Sequence, residues 1–144
     1  MITCTRKLWF SAGHRIYGHE SVCAHLHGHN YEVHITAGGD QDSLGRVIEF
    51  KVLKLVYEEW LQTHWDHGFI YYTKDQDLCR LFLREEASGF KHWLAPFNPT
   101  AENMAKYLLQ IGPSLLSKHP LGDGVIILSV KLFETPNCWA EASL

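Results

Sequence analysis

With 144 residues, 46% of them apolar and 12% aromatic, the chain is sized for a single domain over residues 1–144 and is too apolar to stay disordered. A formal charge of −3 argues against a nucleic-acid partner or an anionic membrane surface, and no apolar run approaches the roughly 18 residues of a membrane span. The N-terminus has no apolar leader, and Cys4, Cys23, Cys79 and Cys138 are spaced too irregularly for a disulfide framework, so free thiols in a cytoplasmic protein are expected.

In chain order, residues 3–12 predict a strand, with Leu8 and Phe10 on one face and Lys7 and Trp9 on the other. Residues 13–29 are rich in glycine, histidine and short polar side chains without periodicity and predict a loop. Tyr31, Val33, Ile35 and Ala37 then alternate with Glu32, His34 and Thr36, a half-buried strand closed by Gly38 and Gly39. Phe50, Leu53, Val56, Tyr57, Trp60 and Leu61 recur at helical spacing, which predicts an amphipathic helix over residues 50–63. A shorter, more charged helix is expected over residues 76–87.

Another helix opens at Asn98-Pro99-Thr100-Ala101-Glu102-Asn103, with Thr100 as N-cap and Glu102 in the first turn. Its buried stripe is Met104, Ala105, Leu108, Leu109 and Leu116, and Gly112-Pro113 should kink or divide it. Residues 124–133 predict a strand that delivers Glu134 at its end, and residues 139–144 a short edge strand. Strands, then helices, then strands argue an α+β fold with the helices on one face of an antiparallel sheet.

Ten histidines are many for this length, and eight of them (His14, His19, His25, His27, His29, His34, His64 and His67) fall within the first 67 positions. In Cys23-Ala24-His25-Leu26-His27-Gly28-His29, His27 and His29 stand two apart where an extended chain begins, so both rings project to one side. Neutral imidazoles are good zinc ligands, and three protein ligands with one open position is the catalytic arrangement. His14, at the end of the first strand, completes the set if the two strands pair; His25 bears the same spacing to His27 and is not rejected by it. Cys23 reads as a nucleophile or base activated by a nearby cation, or as a small buried apolar side chain. Asp66-His67 reads as an acid–base pair, or as a histidine favoured by a helix C-terminus. Glu134 reads either as a solvated strand end or as a carboxylate accepting two parallel hydrogen bonds from an amidine-like edge.

Phe10-Ser11-Ala12-Gly13-His14, Cys23 through His29, Asp66-His67, Asn98 through Asn103 and Phe133-Glu134-Thr135 together resemble, in order and over nearly the whole chain, the 6-pyruvoyltetrahydropterin synthase / 6-carboxytetrahydropterin synthase family. That resemblance implies a T-fold (tunnelling fold), an antiparallel sheet of about four strands backed by two main helices. It implies assembly into β-barrels, as a homo-trimer or hexamer with active sites between subunits. It further implies a Zn²⁺ held by His14, His27 and His29, a catalytic thiol at Cys23, a proton relay at Asp66 and His67, and a small-molecule pterin anchored by Glu134 and framed by Thr100 and Glu102.

The implied substrate is 7,8-dihydroneopterin triphosphate. The ending Glu134-Thr135-Pro136-Asn137-Cys138-Trp139-Ala140 looks more like the queuosine-pathway 6-carboxytetrahydropterin synthases, which release acetaldehyde and triphosphate, than like the pyruvoyl enzymes of the biopterin branch. Cys23 argues against the family's aldolase-like members, and a non-catalytic zinc-stabilised pterin-binding module is the alternative of another class. Three departures stand out: Glu49 where the family has Asp in Val-x-Asp-Phe, a longer segment at residues 71–95 suited to a lid, an interface arm or surface decoration, and His25 as an added proton donor.

Overall fold

A computed structural model describes residues 1–120 and 124–144. Two long strands form its centre. β1 (Ile2–His14) pairs antiparallel with β2 (His27–Gly39) from Ile2↔Gly39 to His14↔His27 without a break. The alternation seen in sequence selects this register: Leu8, Phe10 and Ala12 share a buried face with Tyr31, Val33, Ile35 and Ala37, while Trp9 on the other face is 65% exposed. Both strands run into the stretch expected to be loop, β1 by two residues and β2 by several, and a single 3-10 turn at Val22–Ala24 lies between them. Cross-strand pairing stabilises glycine- and histidine-rich backbone that local propensity leaves unassigned.

β5 (Ile126–Thr135) adds antiparallel to β2, and β6 (Cys138–Ser143) to β5, as expected for the C-terminal end. The sheet nevertheless has six strands, in the order β4-β3-β1-β2-β5-β6, rather than about four. The additional pair, β3 (Gly68–Tyr72) and β4 (His92–Ala95), runs parallel to β1, so the sheet is mixed. With five and four residues these strands are too short to show an alternation, and β3 is joined to β1 only through Ala12, Gly13 and His14. Residues 71–95 thus add strand at their two ends and a helical excursion between them. Their helix, α2 (Gln76–Phe82), ends sooner than expected and is followed by a 3-10 turn at Glu85–Ala87. Asp75 caps α2 through the Leu78 N–H and, almost fully buried, takes two hydrogen bonds from Arg15 at 2.5 and 2.6 Å. The extension is therefore tied to the residue that follows His14.

α1 (Phe50–His64) packs on β1 and α3 (Ala101–Leu116) on β5 and β6, both on the buried face. α1 buries Leu53, Val56, Tyr57 and Leu61, whereas Phe50, expected in the stripe, opens the helix and is exposed. α3 buries Met104, Ala105, Leu108, Leu115 and Leu116, with Leu109 only partly covered. It runs through Pro113 undivided. The reason lies in packing: a Cβ at Gly112 would stand 2.7 Å from Tyr57 Oη and 3.0 Å from Ile127 Cγ1, so this turn is pressed against α1 and β5. Tyr57 Oη also donates to the Leu108 carbonyl at 2.9 Å. Tertiary contact overrides the proline's local cost.

Glu49 is the N-cap residue of α1, and its side chain caps nothing. An aspartate, one methylene shorter, reaches the orphan N–H groups of a first helical turn; the longer glutamate does so poorly. Glu49→Asp should therefore stabilise the protein by about 1 kcal/mol, read as a Tm rise of roughly 3 °C. No gain in Tm or in urea midpoint would show that this cap is unimportant here.

Candidate active site

The two rows of side chains that build the core end in imidazoles. Along β1 the buried row is Leu8, Phe10, Ala12, His14, and along β2, read backwards, it is Val33, Tyr31, His29, His27. Because His14 is the register partner of His27, the i,i+2 pair on β2 and the last residue of β1 converge at one end of the sheet. One nitrogen from each ring lies within 4.8 Å of the other two.

Each ring is oriented from behind. His14, 1% exposed, donates from Nδ1 to the Pro99 carbonyl at 2.7 Å, and His27 donates from Nδ1 to the His25 carbonyl at 2.7 Å. With Nδ1 protonated, the neutral form of each ring carries a lone pair on Nε2, and these two atoms stand 3.1 Å apart. Facing lone pairs repel unless something positive lies between them. Two nitrogens bound tetrahedrally to one zinc at its usual bond length would be about 3.3 Å apart. His29 adds a buried Nε2 with no hydrogen-bond partner. The donor set, its spacing and its carbonyl-held rings fit a metal ion bound by three imidazoles. His25 does not join it: its ring is exposed, and its backbone carbonyl orients His27 instead.

Protonation follows from the same burial. Desolvation lowers the pKa of His14 from 6.5 to about 4, assisted by His27 and His29 and opposed by the bond to Pro99. His29 is lowered as well, by desolvation first, with Glu134 acting against it and His27 with it. His14 therefore stays neutral, the form that binds a metal, well below neutral pH, and His29 is shifted in the same direction.

Glu134 Oε1 lies 3.8 Å from His14 Nε2 at the end of β5. It lines a cavity of about 270 Å³ together with Ile16, His19, Thr100, Glu102 and Trp139. Thr100 caps α3 by accepting the Asn103 N–H, and Glu102 sits in the first turn, so the helix start forms one wall. Glu134, Thr100 and Glu102 thus come together beside the three histidines. Cys23 lies half-buried on the 3-10 turn, with its carbonyl accepting the Ile16 N–H at 2.8 Å, and is outside the imidazole cluster.

Asp66 and His67 form their own pair, with His67 Nδ1 donating to Asp66 Oδ2 at 2.8 Å. The Ser11 N–H donates to Asp66 Oδ1 at 2.9 Å, the His67 N–H to the Ser11 carbonyl at 2.6 Å, and His67 itself is left-handed at φ 58°. Burial raises the Asp66 pKa, but the bonds from Ser11 and His67 and the charge of Lys91 outweigh it and hold the carboxyl below its ordinary value. The His67 side chain is 81% exposed and lines a different hollow, of about 360 Å³, with Ser11, Gly13, Gly28 and Asn30. Those four residues alternate with the buried row, and Ala12 and His29 of that row line the hollow as well. Within one chain the dyad and Glu134 do not share a cavity.

Several contributors escaped sequence reasoning. His19 and Trp139 line the cavity of Glu134, and the Pro99 carbonyl orients His14. His19 was visible only as one histidine in a crowd, and a backbone carbonyl 85 positions from its ring partner leaves no trace in spacing.

The 6-pyruvoyl tetrahydropterin synthase family profile matches residues 3–143. A 6-carboxy-5,6,7,8-tetrahydropterin synthase of Rickettsia felis is 40% identical over 143 residues, covering 98% of this chain and 99% of its own length. An uncharacterized protein of Wolinella succinogenes shares the fold with a TM-score of 0.79 at 22% identity, over 99% of this chain and 97% of the other. A Caenorhabditis elegans 6-pyruvoyl tetrahydropterin synthase does so with a TM-score of 0.68 at 23% identity, over 99% and 95%. At these identities the two structures speak for the fold alone, which is the α+β T-fold.

The lowered His14 pKa has a consequence for stability. Above pH 6.5 the ring is neutral in both folded and unfolded chains, and below about 4 it is protonated in both. Between those limits the unfolded chain takes up the proton first, so acidification favours unfolding. Urea melts of the metal-free protein should lose stability from pH 7 to 4, on the order of 3 kcal/mol from this residue, and His14→Gln should flatten the slope. An unchanged slope in the variant would assign the acid sensitivity elsewhere.

Proposed function

The chain belongs to the 6-pyruvoyl tetrahydropterin synthase family, and from that premise we propose that it is a zinc-dependent lyase converting 7,8-dihydroneopterin triphosphate to 6-carboxy-5,6,7,8-tetrahydropterin, acetaldehyde and triphosphate. The names of the full-length relatives support the product, and this reaction feeds queuosine-type 7-deazapurine synthesis. The observation that carries the reading is a single one. Three imidazoles, two of them with Nε2 atoms 3.1 Å apart, adjoin a carboxylate that lines a ligand-sized cavity.

Borderline-soft nitrogen donors with an open fourth position suit Zn²⁺. Zinc held by His14, His27 and His29 would supply Lewis acidity, making protons next to substrate oxygens easier to remove. Glu134 would accept hydrogen bonds from the pterin 2-amino group and ring N3–H, and Thr100 and Glu102 would frame the ring against the start of α3. The Cys23 thiolate would take a side-chain proton. Asp66, kept ionised by Ser11 and His67, would fix the His67 tautomer so that the imidazole returns or relays a proton.

Because His67 and Glu134 line different cavities of one chain, the relay is assigned to a neighbouring copy's site. The functional unit is then a homo-oligomer, a trimer or hexamer with sites between subunits, acting on a small-molecule pterin in the cytoplasm. Sheet edges at β4 and β6, unpaired among the described residues, are available for such assembly.

Incubation of the zinc-loaded protein with 7,8-dihydroneopterin triphosphate, followed by mass spectrometry, should yield acetaldehyde and the 6-carboxy product. Cys23→Ala should lower turnover by at least about 100-fold with zinc retained. A 6-pyruvoyl product without acetaldehyde would move the chain to the biopterin branch, and tight pterin binding without turnover would make it a binding module. Specific activity should fall on dilution as the assembly dissociates, tracked by light scattering; full activity in a demonstrated monomer would place the relay within one chain.

A further inference from the structure

We propose that Asn98 is a positioning residue that sets the placement of the Cys23 thiol. The proposal rests on the reading of Cys23 as the proton-abstracting group. Asn98 belongs to the segment that opens α3, yet its side chain turns away from the helix. Its Oδ1 accepts the Tyr17 N–H at 2.9 Å and its Nδ2 donates to the Tyr17 carbonyl at 2.9 Å. A side-chain amide thereby takes both backbone groups of one residue, as a neighbouring strand would, and locks its position and orientation.

From Tyr17 the constraint passes to Cys23 in one step. The Ile16 N–H donates to the Cys23 carbonyl at 2.8 Å, and the His19 N–H closes a turn onto the Ile16 carbonyl at 3.3 Å. The 3-10 turn carrying Cys23 is otherwise held locally, by Ala24 N–H to the Ser21 carbonyl and His25 N–H to the Val22 carbonyl, each at 3.0 Å. The His25 carbonyl, accepting from His27 Nδ1 at 2.7 Å, ties the C-terminal side of that turn to the imidazole cluster. Asn98 ties it from the other side, because it shares a corner with Pro99, whose carbonyl orients His14, and Thr100, which caps α3. That corner is itself rigid: the Asn98 carbonyl accepts both the Thr100 N–H at 2.8 Å and Asn103 Nδ2 at 3.0 Å. The thiol, the first imidazole and the cavity wall are referred to three consecutive residues.

The test uses the assembled, zinc-loaded protein and two variants. Asn98→Ala removes both bonds to Tyr17. Asn98→Asp keeps the acceptor for the Tyr17 N–H but sets a carboxylate against the Tyr17 carbonyl, and it carries the test should the alanine variant not fold. Zinc content should stay as in the parent and KM should change by less than about twofold, while kcat falls roughly 10- to 100-fold. Iodoacetamide alkylation of Cys23, followed by peptide mass spectrometry across pH, should change in rate by several-fold, with faster hydrogen exchange at Ile16 and Tyr17. Gly112→Ala, which crowds Tyr57 and Ile127 at the far end of α3, should lower Tm without changing Cys23 alkylation. Parental alkylation kinetics in both Asn98 variants would overturn the proposal, as would zinc lost in step with kcat. Altered alkylation alongside full turnover in Cys23→Ala would keep the positioning role and overturn the catalytic reading of Cys23 instead.

Discussion

Everything in this molecule depends on the register of β1 against β2. A slip of one residue would turn His27 and His29 to the open face and leave Tyr31, Val33, Ile35 and Ala37 in solvent. The hydrophobic effect therefore guards the convergence of the three imidazoles. Four fully buried side chains on β2 face Leu8, Phe10 and Ala12, and moving that row out of the core would cost several times the stability of an ordinary domain's weakest element. His14 then meets His27 because both ends of one hairpin-like pair are counted from the same apolar contacts. No local signal at the histidines is needed to bring them together.

The register supplies proximity, and a second constraint supplies orientation. The corner before α3 presents Pro99 to His14, while the chain just after the Val22–Ala24 3-10 turn presents the His25 carbonyl to His27. Both are backbone carbonyls, which side-chain substitution cannot remove. On the opposite side of His14, Arg15 is fixed by Asp75, so the strand end is held by the helix corner and by the sheet extension together. A three-imidazole site with rings held this way loses little conformational entropy on binding an ion.

How far the sequence disclosed this varies with the range of the interaction. Alternation at Leu8–Phe10 and Tyr31–Ala37 and the helical stripe from Leu53 to Leu61 are short-range patterns and correspond to what the structure buries. The convergence of three imidazoles was legible because the period of a strand puts His27 and His29 on one side, while His25, equal in spacing, was separated only by its position ahead of the strand. β3 and β4 were not legible, because β3 pairs with β1 across 56 positions over three rows and with β4 across 23 over four. Pro113 misled because helix propensity is local and the contacts of Gly112 with Tyr57 and Ile127 are not. Glu49, a departure from the family pattern, occupies the N-cap position of α1, where its side chain caps nothing. The face on which His67 emerges depends on the Asp66–Ser11 contact, which no spacing encodes.

The three imidazoles that could hold a metal ion continue the core rows, and that has a bearing on the protein's lifetime. An ion bound to folded imidazoles and not to the unfolded chain shifts the folding equilibrium by mass action. Protein made where that ion is scarce would carry a buried, mutually repelling histidine pair at the end of its central strands, and would open there more often. Degradation machinery acts on opened chains, so ion supply during synthesis would set abundance as well as activity. The cell would then hold few idle copies: those without an ion would be cleared rather than stored.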